Sequence, residues 1–121
     1  MTLHRTVIGE GARDLVVLHG LLGSSGNWFT LARGPFQDVG RVHLLDLRNH
    51  GRSFHAEEHT YEAMAADVAQ YLRAEIDAPA WLLGHSMGGK VAMEVALRYP
   101  ALVAGVIIAD MAPKAYDDRH T

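Results

Sequence analysis

Residues Trp81 to Met93 read WLLGHSMGGKVAM. Three apolar residues run into Gly84-His85-Ser86-Met87-Gly88, which fits G-x-S-x-G, and helix-forming sequence follows. A sharp turn from strand to helix forces the serine into strained backbone angles. Gly84 and Gly88 leave space there where a Cβ would clash. The serine then projects from the C-terminal edge of a sheet, at the positive end of a helix dipole, as a nucleophile is expected to do. A glycine-rich turn with an incidental serine is the plainer reading, and the strand before and helix after weigh against it. A phosphate-binding loop is the other alternative, because G-x-x-x-x-G-K matches Gly84, Gly89 and Lys90. Val91 stands where that loop needs Ser or Thr to hold magnesium, and the motif follows a later strand rather than the first.

Working outward, the chain alternates short apolar runs with helical patterns. Leu3–Ile8 is a modest strand. Leu15–Leu18, Val42–Leu47, Trp81–Leu83 with its flanks, and Val106–Ala109 are continuous apolar runs that suit strands buried on both faces. Between them, Met64, Val68, Leu72 and Ile76 recur every four residues as one helical stripe, with Thr60 as N-cap and Pro79 beyond its end. A second helix is expected over Ser86–Tyr99, with Val91, Ala92, Val95 and Ala96 inward and Pro100 stopping it. A shorter one is expected over Trp28–Arg33. This alternation predicts an α/β fold with a mainly parallel sheet and right-handed crossovers.

Composition narrows the class. A chain of 121 residues, 49% hydrophobic and 21% charged, is one domain or part of one and holds a real core. Its net charge of −3 offers no basic field for nucleic acid or anionic lipid. No cysteine is present, which removes disulfides, thiolate catalysis and thiolate metal sites. The start, MTLHRTVIGEGA, lacks the apolar core of a signal peptide, and no run reaches membrane-span length. The expectation is a soluble cytoplasmic protein, with no repeat, linker or domain boundary inside residues 1–121.

Two more segments bear on chemistry. In LHGLLGSSGNW, His19 to Trp28 follow the first buried run, and glycine at Gly20 and Gly23 lets the backbone turn toward a substrate. The Leu21 amide there can pair with the Met87 amide to bind a developing oxyanion. His19 is expected to orient this loop by hydrogen bonding rather than to act as base. In DLRNHGRSFH, Asp46 is expected to fix its loop as a hydrogen-bond acceptor, with Arg48 or Arg52. His50, His55 and His59 invite a metal reading, but HAEEH is not H-E-x-x-H and no cysteine assists, so no metal is expected.

HGLLGS, DLRNHGRS and GHSMGGK, in that order, strongly resemble the α/β-hydrolase family, and within it the small serine esterases of bacteria and mitochondria. The similarity runs from Val16 to about Tyr116, including DMAPKAY after the last strand. The resemblance implies a mainly parallel sheet of about eight strands with helices on both faces. It also implies a Ser-His-Asp triad that cleaves small acyl esters or thioesters without a cofactor. On the matching positions it makes Ser86 the nucleophile and Leu21 and Met87 the oxyanion donors, with Gly20, Gly84, His85 and Gly88 supporting the loop and elbow. Serine at 86 separates the chain from haloalkane dehalogenases and epoxide hydrolases, which resemble it but carry Asp there. Leu22, Trp28 and Met87 are candidate pocket walls.

One departure is large. In the family the acid usually follows the seventh strand and the histidine the eighth, after a helical cap. This sequence stops just past what looks like the sixth, so residues 1–121 read as the N-terminal part of the domain. Asp110 is a fallback acid, and His120 lies in a polar tail with nothing visible to fix it. The expectation is therefore a serine hydrolase that is nearly inactive as these 121 residues alone. The rival is a non-catalytic half-fold acting by association. GVIIAD would be an exposed apolar edge strand, seeking a second copy or a C-terminal half in trans.

Overall fold

The parallel core of the sheet is built from the apolar runs, in a computed structural model that describes residues 3–11, 13–19, 40–50, 53–57 and 59–109. The strands are β1 (Arg5–Ile8), β2 (Asp14–Leu18), β3 (Arg41–Leu45), β4 (Ala80–His85) and β5 (Val103–Ala109). Their spatial order is β1-β3-β2-β4-β5. β2 pairs in parallel with both β3 and β4, β4 pairs in parallel with β5, and β1 is antiparallel on β3. The chain leaves β2 toward β3 and later returns to β2's other side as β4. That reversal makes the C-terminal ends of β2 and β4 a topological switch point, where ligands of open α/β sheets bind. Ser86 stands at that edge.

Every residue of β2 is buried. A strand covered on both faces is mostly apolar, as LVVL is, and the buried Asp14 at its start is hydrogen-bonded. On one face, Val16, Leu18, Leu45 and Leu82 pack with Met64, Val68, Leu72, Val91 and Val95 in a single cluster. Leu15, Val17, Val42, Leu44 and Leu83 form a second cluster on the opposite face. Full burial of each such side chain contributes roughly 1.5–3 kcal/mol. The two long helices, α1 (Tyr61–Glu75) and α2 (Met87–Arg98), both belong to the first face. The helix expected over 28–33 lies outside the described residues.

The helices end where their sequences dictate. Thr60 is extended and its Oγ1 accepts from the Ala63 N–H at 3.1 Å, capping α1 as expected. Met64, Val68 and Leu72 are fully buried along its stripe, and Ile76 closes the helix while remaining buried. α2 starts one residue later than the sequence suggests, because Ser86 is its N-cap rather than its first turn. β3 ends at Leu45, short of the expected Val42–Leu47, although the Asp46 N–H still donates to the His4 carbonyl in register with β1. β5 is longer than expected and starts at Val103, straight after a 3-10 turn at Pro100–Leu102. No described helix is long and apolar enough to cross a membrane.

A buried polar tie at the sheet's other end escaped the sequence reading. The His43 Nε2–H donates to Asp14 Oδ1 at 2.8 Å, which leaves Nδ1 to accept from the Tyr71 O–H at 2.7 Å. Arg41 Nη2 also donates to Asp14, at 3.1 Å. Burial pushes the Tyr71 hydroxyl up to about 12, the nearby Arg5 acting in the opposite sense. The tie joins β2, β3 and α1, so the helix is registered on the sheet by polar contacts as well as by packing.

Candidate active site

Ser86 sits between β4 and α2 with φ 56° and ψ −114°, a left-handed backbone that a residue with a side chain rarely adopts. Such strain persists only where the surroundings enforce it. Here they do. A Cβ on Gly84 would come within 2.4 Å of the Gly88 carbonyl oxygen. A Cβ on Gly88 would lie 2.1 Å from the Leu18 carbonyl oxygen and 2.5 Å from that of His19. The two glycines therefore let α2 start directly against the ends of β4 and β2. The Ser86 carbonyl accepts from the amides of Gly89 and Lys90, at 2.9 and 3.2 Å, winding the helix immediately. Its side chain makes no capping hydrogen bond, so Oγ is not consumed by the helix it precedes.

Met87 is the first residue of α2 and is buried. A first-turn amide has no carbonyl one turn back to bond, so its N–H is available at the helix's positive end. His19, just past β2, is fully buried, and its Nε2 accepts from the Leu47 N–H at 3.0 Å. The imidazole thus ties the ends of β2 and β3 together and its ring stands 5.0 Å from that of His50. His85 is half-buried at the end of β4. Gly20, Leu21, Leu22, Trp28 and Asp110 lie outside the described residues, as does His120.

A cavity of about 600 Å³ opens beside Ser86, lined also by His59, Thr60, Tyr61, Glu62, Met64, Met87 and Lys90. It lies where α1 and α2 begin, with Met64 and Met87 as buried apolar members. Of these residues the sequence pointed to Ser86 and Met87 for the site. Lys90 was legible in principle, because it falls at the start of the helix that Ser86 caps. His59, Thr60 and Tyr61 become neighbours of Ser86 through the pairing of α1 and α2, which is not local in sequence.

In the loop after β3, Arg48, one of the two arginines expected beside Asp46, makes two bonds from its guanidinium to Asp67 on α1, at 2.6 and 2.9 Å. Asp67 is buried, 8% exposed, and the guanidinium supplies its countercharge. Asp46 Oδ2 meets His4 Nδ1 at 3.1 Å, and its carbonyl accepts from the Ser53 hydroxyl. Arg52 lies outside the described residues. The Ala56 N–H donates to Asn49 Oδ1, which turns the Asn49 amide nitrogen toward His59 Nδ1 at 3.1 Å. His50 donates from Nδ1 to the Arg48 carbonyl. Among the described residues no three His, Asp or Glu side chains are grouped to hold a metal ion. Val91, where a phosphate loop needs a hydroxyl, is fully buried in the core.

Comparison with known proteins places this geometry. Residues 15–118 match the family described as alpha/beta hydrolase fold. The chain is 50% identical over 100 residues to the sn-1-specific diacylglycerol lipase ABHD11 of Xenopus laevis, covering 82% of this chain and 32% of that protein. It is 42% identical over 103 residues to a putative esterase/lipase of Haemophilus influenzae, covering 85% of this chain and 36% of that one. Among solved structures, a marine microorganism esterase superposes with a TM-score of 0.86 at 41% identity, over 96% of this chain and 44% of its own. The chain spans about a third of the length of these curated relatives.

Proposed function

The chain belongs to the alpha/beta hydrolase fold family, and from that premise we propose that Ser86 is the nucleophile of a hydrolase of carboxylic esters or thioesters. The observation that carries the proposal is the strained Ser86 backbone, wedged by Gly84 and Gly88 at the mouth of a cavity. In this reading Ser86 Oγ attacks the acyl carbonyl carbon while a histidine base takes the hydroxyl proton. The carbonyl oxygen becomes an oxyanion held by the Met87 and Leu21 amides. Collapse expels the alcohol or thiol, which takes the proton back from the histidine, and leaves an acyl-Ser86 ester. Water, deprotonated by the same base, then releases the acid. No cofactor enters these steps.

The base and acid belong outside the described residues, with Asp110 the fallback acid. Residues 1–121 alone are accordingly poor catalysts, because loss of one triad member costs on the order of 10⁴ to 10⁶ in kcat. Named activities of the relatives, diacylglycerol lipase and esterase/lipase, support an ester substrate. The test is hydrolysis of p-nitrophenyl butyrate by the full-length protein and by Ser86→Ala. The proposal requires the variant to fall by at least ~10⁴-fold. Turnover that survives the substitution refutes it.

One observation supports a second reading. Among the described residues β5 pairs only with β4, and its Ile107 and Ile108 are 47% and 45% exposed. An apolar edge of this kind invites strand pairing with another chain. Light scattering on purified residues 1–121 tests association, and a stable monomer counts against it.

A further inference from the structure

Of the cavity's polar side chains, Lys90 is the one whose charge nothing described neutralises. It stands four residues after Ser86, at the start of α2, and both residues line the same cavity. Its ammonium lies 5.8 Å from the centroid of the Tyr61 ring, across the cavity entrance from α2 to α1. A cation over an aromatic face is held there by the ring's quadrupole. Among the described residues Lys90 makes no ion pair. Glu62, the carboxylate that lines the same cavity, is instead 3.6 Å from Arg98.

His59 adds a hydrogen-bond donor to this wall. The Ala56 N–H fixes Asn49 Oδ1, so the Asn49 amide nitrogen donates to His59 Nδ1. A neutral imidazole accepting at Nδ1 carries its proton on Nε2. The cavity thus joins an apolar pair, Met64 and Met87, to a positioned cation and an N–H donor, all beside Ser86.

Resting on the reading of Ser86 as nucleophile, we propose that Lys90, braced on Tyr61, is a specificity-determining residue that receives an anionic group carried by the ester close to its reacting carbonyl. A carboxylate on the acyl part and a phosphate on the alcohol part present the same chemistry to the ammonium. The interaction lies near the surface, so it weakens as added salt screens it.

Paired substrates test this in the full-length protein. The acyl arm compares p-nitrophenyl hemiglutarate with p-nitrophenyl valerate. The alcohol arm compares glycerol 1-butyrate 3-phosphate with glycerol 1-butyrate. The readout is the ratio of kcat/KM for the charged ester over the neutral one. In at least one arm, Lys90→Met lowers that ratio about tenfold through KM, and Lys90→Arg restores it; a salt titration of the wild type lowers it too. The arm that responds identifies where the anion sits. Ratios unchanged by Lys90→Met in both arms overturn the proposal while Ser86→Ala, still inactive, leaves the nucleophile reading intact. Hydrolysis that survives Ser86→Ala overturns both.

Discussion

Gly88→Ala is the most demanding perturbation of the elbow, because the added methyl meets only backbone. Its Cβ would sit 2.1 Å from the Leu18 carbonyl oxygen, and real Cβ contacts essentially never fall below 3.0 Å. The start of α2 must therefore withdraw from β2 by about 0.9 Å, the difference between those distances. No rotamer change relieves the clash, so the cost belongs at the upper end of overpacking, ~3 kcal/mol. Gly89→Ala is the internal control. Both glycines lie in α2 and both substitutions gain ~1 kcal/mol of helix propensity. At Gly89, however, the new methyl meets the Ile108 side chain at 3.3 Å, and Ile108 is half-exposed and free to adjust. The two variants should differ by ~3 kcal/mol, roughly 10 °C in Tm for a domain of this size. Thermal melts followed by circular dichroism measure this. In the full-length protein, a 1 Å displacement of the elbow should also lower esterase activity by ~10²-fold for Gly88→Ala. Melting of the two variants within about 2 °C of each other would refute the steric account of the elbow.

Two further perturbations test what holds the site's frame. Asp67→Ala removes both carboxylate bonds from the Arg48 guanidinium, whose side chain is 13% exposed, and should destabilise the protein by about 3 kcal/mol in urea unfolding. The double variant Arg48→Met with Asp67→Leu should recover most of that loss; if it does not, the pair itself is stabilising beyond its need to be complete. The Tyr71 hydroxyl, raised by burial to about 12 from 10.0, predicts an alkaline limb. The neutral form is favoured in the folded state, so the stabilisation is complete below pH 10 and falls by about 2–3 kcal/mol as pH rises to 12. Tyr71→Phe should flatten that limb, at a cost near neutral pH of about 1–2 kcal/mol for the lost bond to His43. An alkaline limb of unchanged depth in the variant would assign the titration to other groups.

Much of the architecture was legible because burial on both faces leaves a local trace. LVVL and VHLLDL are mostly apolar for that reason, VIIA is apolar although Ile107 and Ile108 stay nearly half exposed, and the stripe through Met64, Val68, Leu72 and Ile76 has one period. The elbow was equally local, since strand, Gly84, Ser86, Gly88 and helix are consecutive. What escaped was long-range. His43 interrupts an apolar strand, and nothing near it in sequence announces Asp14 or Tyr71, 29 and 28 residues away. Asp67 lies 19 residues from Arg48, and nothing between them announces that α1 turns its carboxylate to the guanidinium. The cavity wall from His59 to Tyr61 depends on α1 packing beside α2, a tertiary event that no window of sequence contains.

The central claim is that Ser86 is an activated nucleophile, and covalent capture tests it directly. The full-length protein is treated with a fluorophosphonate ester, digested, and mapped by mass spectrometry. The account predicts a single phosphonyl adduct on the peptide holding Gly84-His85-Ser86-Met87-Gly88, formed in step with loss of esterase activity and absent from Ser86→Ala. Activity lost with the adduct on another residue, or esterase turnover with Ser86 unlabelled, would contradict it.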